Sequence, residues 1–333
     1  MPHFKKYQEV KRKMSEELPN SEILLLYEAK LCNPNGDPDA ENKPRIDPKT
    51  GINIVTDVRL KRFFRDYIAE KYGEEFIYVT KVGGESVTAE SRLERLLGRS
   101  ISKNDVPNVL KRCIDARLFG ATIPIGKGEK ERGESASCTG PVQFGWGFSL
   151  HKVELVDSSA ITSVFSGREA AAGYGTIGRD WRVWYSLISF YGVVSGRRAK
   201  ETIMSREDLK LFDNLLWTAL QVQPTTRSKI GEMPHLYLRI EYTDADTVLG
   251  DLRKYIKVEA AETVRDLQDL KISFDGLTEH VKRNIDKISQ IYSRTSDEMT
   301  HVVGLLEKAS PGKVFRLPHE LDVRAVLERC IKA

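Results

Sequence analysis

The sequence predicts an α+β fold whose core runs strand, helix, strand, strand, helix, strand. Two observations carry that expectation. The stretch Ile23 to Leu31 is apolar on both faces, as a strand in the middle of a covered sheet must be. Two later segments, Leu60 to Ile68 and Leu209 to Leu220, place apolar residues at helical spacing, and β-branched and aromatic runs stand between and after them.

In chain order, Phe4 to Leu18 reads as a charged helix or, preferably, a solvated extension carrying Lys5, Lys6, Lys11, Arg12 and Lys13. After the first strand, Pro34, Gly36, Pro38, Pro44, Pro48 and Gly51 rule out regular structure and make a long first loop. The helix behind it has Thr56 as N-cap, with Asp57 suited to the positive end of the dipole, and buries Leu60, Phe63, Phe64, Tyr67 and Ile68. Lys61 and Arg65 lie side by side on its flank, a like-charge cost of about 0.2–0.5 kcal/mol that an intervening phosphate would remove. Arg59 and Arg62 point to other sides and read as solvated.

A mixed region from Gly73 to Thr139 shows helical pattern at Ser91 to Leu97 and Val106 to Leu118, and ends in a polar, mobile loop at Gly126 to Ser137. Val142 to Val153 reads as a strand whose Gly145 and Gly147 mark a close approach, and Arg182 to Val194 as another strand. Ser205 to Leu220 is an amphipathic helix with Ser205 and Asp208 as its capping pair, followed by a turn over Gln223 to Pro234 and a strand over His235 to Tyr242. The tail reads as mostly helical, ending in Glu320 to Lys332. This βαββαβ order is that of ferredoxin-like or RRM-like domains with long insertions.

With 333 residues the chain is long enough for a substantial core, and a net charge of +4 permits a nucleic-acid partner only through local basic patches. The longest apolar run, Val183 to Val194, is too short to cross a bilayer, and MPHFKKYQEVKRK lacks an apolar signal core, so a cytoplasmic protein is expected. Cys32, Cys113, Cys138 and Cys330 stand far apart and read as reduced thiols.

Catalytic patterns are weak. Asp37, Asp39 and Glu41 open like a calcium loop, but Asn42 replaces its glycine and Pro48 its bidentate glutamate. Gly173, Gly175 and Gly178 match GxGxxG but precede a strand, with Arg197 and Arg198 where a carboxylate would stand. Gly120 to Lys127 misses P-loop spacing, and the histidines form no ligand pair, so neither a metal nor a cofactor is expected. A hairpin flanked by Arg168, Arg179 and Arg182 can approach a phosphodiester backbone. The loop Thr225, Thr226, Arg227, Ser228, Lys229 is either an ordinary solvated turn or a phosphate contact.

The runs NPNGDPDAENKPRIDP and VTDVRLKRFFRDY, then DARLFGATIP, SCTGPVQFGWGFSLHKVE and GYGTIGRDWRVWYSL, closely resemble the Cas7 family of the RAMP superfamily. That family forms the backbone of type I CRISPR Cascade complexes, and the likeness is greatest to subtype I-B. The resemblance implies a single RAMP-type domain. Its RRM-like palm would occupy about 21–72, 140–156 and 182–243, a helical fingers insertion about 73–139, a β-hairpin thumb about 157–181 and a C-terminal helical region about 244–333. It implies a non-catalytic subunit that lines up head to tail along the spacer of a guide RNA (crRNA). Protein would hold the backbone while the guide pairs with target DNA in antiviral defence. The implied partners are crRNA, target DNA through the guide, copies of the chain, other Cascade subunits and, indirectly, a recruited helicase-nuclease. Carried onto matching positions, Thr56, Lys61, Arg65, Arg227 and Lys229 hold phosphates. Phe165 and Ile177 intrude beside a displaced nucleotide, and Asn33, Asn35, Lys43 and Arg45 border the groove. Arg62, Arg168, Arg179, Arg182, Thr225 and Ser228 complete the candidate RNA-binding set. The alternative is a type III-like RAMP ribonuclease that cuts target RNA with Asp37.

Overall fold

The computed structural model describes residues 18–99, 105–125, 134–157, 160–166 and 175–332. The charged extension Phe4 to Leu18 lies almost wholly outside them. Strand β1, Ser21–Cys32, has its first seven residues buried, as its two apolar faces require. Beyond the first loop come β2, Ile52–Val55, and helix α1, Asp57–Lys71, where the Thr56 side chain accepts from the Arg59 N–H.

Next are α2, Ala89–Leu97, α3, Val106–Arg112, and α4, Ile114–Phe119. The helix expected across Val106 to Leu118 is broken at Cys113, which is extended, with φ −99° and ψ 112°. Strands β3, Gly120–Ile125, and β4, Glu134–Thr139, pair as a hairpin, so the loop expected through Ser137 ends earlier, and 126–133 lie outside the described residues. The strand expected over Val142 to Val153 is two strands, β5, Val142–Phe144, and β6, Gly147–Lys152. At the break, a Cβ on Gly147 would lie 2.4 Å from the Phe190 ring, the close approach its glycine signalled.

Strands β7, Ala160–Ser166, and β8, Gly175–Arg179, pair antiparallel. Then come β9, Val183–Val194, α5, Gly196–Thr202, α6, Arg206–Val222, and β10, Glu232–Tyr242. Helix α6 starts at the expected Ser205–Asp208 capping box. Strand β10 begins before His235 because a register shift at Leu26/Tyr27 accommodates Pro234 in the ladder.

The expectation of a mostly helical tail is corrected. Residues after Tyr242 supply β11, Lys257–Ala260, β12, Leu270–Ser273, α7, Asp275–Arg283, β13, Ile288–Thr295, α8, Thr300–Ala309, β14, Val314–Arg316, and α9, Val323–Lys332. Ile288 and Ile291, three apart, look helical in sequence. A register shift at Glu241/Tyr242 skips one residue and lets both point inward from a strand.

One mixed sheet organises the molecule, in the order β14-β13-β10-β1-β9-β6-β2, with β5 also on β9. Only the β13–β14 pairing in it is parallel. On one face Leu25, Tyr27 and Phe190 pack with Phe63 and Phe64 of α1 and Phe212 and Leu216 of α6. On the other, Leu24, Leu26 and Leu238 pack with Leu277 and Val281 of α7 and Val302 and Leu306 of α8. The tail is thus the second cover that the doubly apolar β1 demands. Glu22 locks it down: its buried carboxylate accepts from the hydroxyls of Tyr191 and Tyr242 and from the N–H groups of Leu249 and Gly250, both at 2.8 Å.

Candidate nucleic-acid interface

The end of β1, the first loop, the start of β9 and the loop before β10 meet at one end of the sheet. Leu31 turns the chain with φ +50°, and its carbonyl accepts from Arg182 Nη1 at 2.7 Å. Asn33 donates through its backbone to Ser228 (2.8 Å) and through Nδ2 to the Asn42 carbonyl (2.7 Å). The Asn35 Oδ1 atom accepts from the Thr56 backbone (2.8 Å) and Oγ1 (2.9 Å), which fixes the helix cap against the loop. These three polar residues are therefore engaged in shaping the loop itself. Asp37 caps the turn at Pro38–Ala40, accepting from the Asp39 N–H, and lies 3.4 Å from Arg45.

The opposite wall carries the cations. Arg182 forks onto Asp180 at 2.9 and 2.8 Å, and the exposed Arg227 stands 3.7 Å from the same carboxylate. Arg179 pairs with Glu41 at 2.8 Å, and Lys43 sits 4.3 Å over the Trp181 ring. Thr225 is exposed and Ser228 half-buried. Lys229 is largely buried, donating to the carbonyls of Asn33 and of Pro34 (3.0 Å). Beneath it Glu232 is buried, 4.0 Å from Lys229 and 3.7 Å from Arg59. Burial pushes the Lys229 ammonium down, helped by Arg59 and opposed by Glu232. Burial pushes the Glu232 carboxyl up against the pull of Arg59 and Lys229. Gly231 closes the turn at φ +113°, where a Cβ would stand 2.0 Å from the Lys30 carbonyl oxygen. Gly231→Ala is therefore expected to cost about 1–3 kcal/mol in strain, read as a lower urea midpoint at unchanged slope.

Helix α1 presents its flank elsewhere. Lys61 donates to Asp57 (3.0 Å) and Gln143 (3.1 Å), and Arg65 to Asp115 (2.9 Å), a carboxylate that also accepts from the N–H groups of Tyr78 (2.7 Å) and Val79 (3.1 Å). Their side chains are only 10% and 12% exposed, so the anions that relieve the expected repulsion are the chain's own. Arg62 is exposed and paired with Asp66 at 3.0 Å. The reading of Arg59 as solvated is corrected: it lies 3.9 Å over the Phe63 ring and faces Glu232.

The structure thus brings together Asn33, Asn35, Lys43, Arg45, Thr56, Arg179, Arg182, Thr225, Arg227, Ser228 and Lys229. It brings the exposed Arg62 within electrostatic reach of Lys229, but it turns Lys61 and Arg65 to the carboxylates of Asp57 and Asp115 instead. Phe165 and Ile177 lie on the paired strands β7 and β8, with Ile177 opposite Thr162, and Arg168 is outside the described residues. Sequence reasoning missed Asp180, Trp181 and Glu232, the groups that hold the rim cations. Asp180 was signalled by its position two residues before Arg182. Exposed pairs are worth about 0–1 kcal/mol, so Arg179 can exchange Glu41 for a phosphate at little cost, and the exposed Arg227 can leave Asp180, 3.7 Å away, because Arg182 still holds that carboxylate. Lys61 and Arg65 are themselves only 10% and 12% exposed, so parting them from Asp57 and Asp115 costs more. Among the described residues no group of three or more His, Cys, Asp or Glu is placed to hold a metal ion, and no helix is long and apolar enough to cross a membrane.

A family model described as CRISPR-associated protein Cas7 matches residues 19–275. A protein of Haloferax volcanii named CRISPR-associated protein Cas7 is 34% identical over 295 residues, covering 83% of this chain and 86% of that relative. Among solved structures, a chain of a CRISPR RNA-guided surveillance complex matches with a TM-score of 0.50 at 14% identity, over 94% of this chain and 98% of that one. A chain of such a complex in a pre-nicking state matches with a TM-score of 0.52 at 13% identity, over 93% and 100%. At these identities the structural likeness concerns the fold.

Proposed function

We propose, proceeding from the fact that this chain belongs to the CRISPR-associated protein Cas7 family, that it is a non-catalytic crRNA-binding backbone subunit of a type I Cascade complex, of the subtype I-B kind. Copies assemble head to tail along the spacer and hold it for pairing with target DNA, beside other Cascade subunits and upstream of a recruited helicase-nuclease, in the cytoplasm. The strand order β10-β1-β9-β6, with α1 and α6 on one face, supports an RRM-like palm. The segment from α2 to β4 then corresponds to the fingers and the β7–β8 hairpin to the thumb.

The observation that carries the reading is the rim. Cations from three distant segments converge there, and the most exposed, Arg179 and Arg227, keep their side chains more than half open to solvent. Asp37 is taken up in a turn cap and a pair with Arg45, which favours a scaffold over a ribonuclease. The test is to co-express the chain with a guide, purify it, and size any nucleic acid it retains. Discrete guide-length RNA, retained equally by Asp37→Ala and with target RNA uncut by either protein, is the expected outcome. Protein free of RNA, or guide-directed cutting of target RNA that Asp37→Ala abolishes, would overturn the reading.

A further inference from the structure

We propose that Lys229 is a positioning residue rather than a phosphate ligand: seated over the buried Glu232, it ties the first loop to the loop before β10 and leaves Arg227 as that loop's contact to RNA. The inference rests on the reading of the rim as the crRNA surface.

An ammonium has three protons to give. Two go to the carbonyls of Asn33 and Pro34, and the remaining side of the group faces Glu232 Oε1 at 4.0 Å. The Lys229 side chain is 18% exposed, against 62% for Arg227 two residues earlier. Glu232 supplies the second reason. Neither of its oxygens has a hydrogen-bond partner among the described residues, and its charge is compensated only by Arg59 at 3.7 Å and Lys229 at 4.0 Å. Drawing Lys229 out to a phosphate would leave a buried carboxylate with half its compensation.

The backbone around this pair is arranged for the same purpose. Lys30 donates to the Gly231 carbonyl and Asn33 to that of Ser228, each at 2.8 Å, so the two segments run tied together on both sides of the ammonium. Arg182 takes the Leu31 carbonyl in the same way. Carbonyls of Leu31, Asn33 and Pro34 are thus all occupied by cations from other segments, which sets where the first loop stands. The opposite displacements of the Lys229 and Glu232 protonation equilibria, both caused first by burial, agree with a pair that serves the interior.

The experiment measures guide-RNA binding across a potassium chloride series for the wild type, Lys229→Gln, Lys229→Arg and Arg227→Gln. Loss of one phosphate contact flattens the slope of log K against log salt by about 0.7. Arg227→Gln is expected to do this. Lys229→Gln is expected to weaken binding about tenfold at every salt concentration with the slope unchanged, since no phosphate contact is lost. Lys229→Arg keeps the charge but replaces a compact ammonium by a planar fork, and is expected to behave like Lys229→Gln. Amide exchange at Asn33, whose N–H donates to Ser228, supplies a readout independent of RNA: it should speed up in both Lys229 variants and stay as in the wild type in Arg227→Gln. A slope flattened by about 0.7 in Lys229→Gln and restored in Lys229→Arg would overturn the proposal, as would unchanged Asn33 exchange. A wild-type protein that binds no RNA would overturn the reading of the rim, and this inference with it, whatever the exchange shows.

Discussion

Asp213→Ala is expected to destabilise the fold by about 3–5 kcal/mol, the cost of leaving a buried charge without its partner. Asp213 lies on α6 and is fully buried. It accepts from Arg239 at 2.8 and 2.7 Å and from the Tyr237 hydroxyl at 2.6 Å, and His319 Nε2 lies 3.3 Å away. One carboxylate therefore joins the helix face of β10, helix α6 and a residue of the tail. Arg239 keeps Ser21 and Glu241, each at 3.1 Å, so the variant does not orphan it completely. Burial by itself would raise the Asp213 carboxyl; the Arg239 guanidinium, with the bonds from His319, Arg239 and Tyr237, outweighs it and holds the group below the ordinary carboxylate value. A depressed folded-state value means that the stabilisation is complete above the unfolded value, about 3.9, and is lost as pH falls through the folded one. Urea unfolding of both proteins should show a constant gap near neutral pH that narrows below about pH 4. A gap under about 1 kcal/mol, the worth of an ordinary neutral hydrogen bond, would mean that Arg239 finds full compensation elsewhere.

The elements that define the sheet were legible because their signals are local. The two-faced apolar run of β1, the 60-63-64-67-68 stripe of α1 and the Ser205–Asp208 cap each predict one element without reference to any other. The tail was not legible because β13 depends on a register shift against β10 that no local pattern encodes. At the site, residue type identified the loops and topology decided the roles. Lys61 and Arg65 read as a phosphate clamp because their spacing is visible and the carboxylate of Asp115, fifty positions on, is not. Glu232 stands three residues from Lys229 in sequence, yet its burial under the ammonium follows only from the way β10 is placed beside β1 and α1.

The same distinction sets the largest expected effect on binding. Arg179→Glu combined with Arg227→Glu should abolish retention of guide RNA while the protein stays folded. Both side chains are more than half exposed; Arg179 is held by a surface pair of little worth, and Arg227 stands 3.7 Å from an Asp180 that Arg182 already holds. A hydrogen bond to a charged group contributes about 1.5–3 kcal/mol, so losing two phosphate contacts lowers affinity by on the order of a hundredfold or more and flattens the salt slope by about 1.4. Reversal adds repulsion to that loss. Lys61→Glu with Arg65→Glu makes the contrast. It sets a new carboxylate against Asp57 and another against Asp115 in surroundings where the native side chains are 10% and 12% exposed. That double variant should lose stability by about 3–5 kcal/mol or more, because the buried Asp115 loses its guanidinium and faces a like charge, while the half-buried Asp57 adds a smaller repulsion. Melting and RNA retention measured on both double variants separate the two surfaces. A folded, RNA-free Lys61/Arg65 variant beside an RNA-bound Arg179/Arg227 variant would move the interface from the rim to the flank of α1. The opposite pattern keeps it where the exposed cations converge, and explains why the α1 flank is furnished with its own carboxylates: there the charges hold the insertion to the sheet.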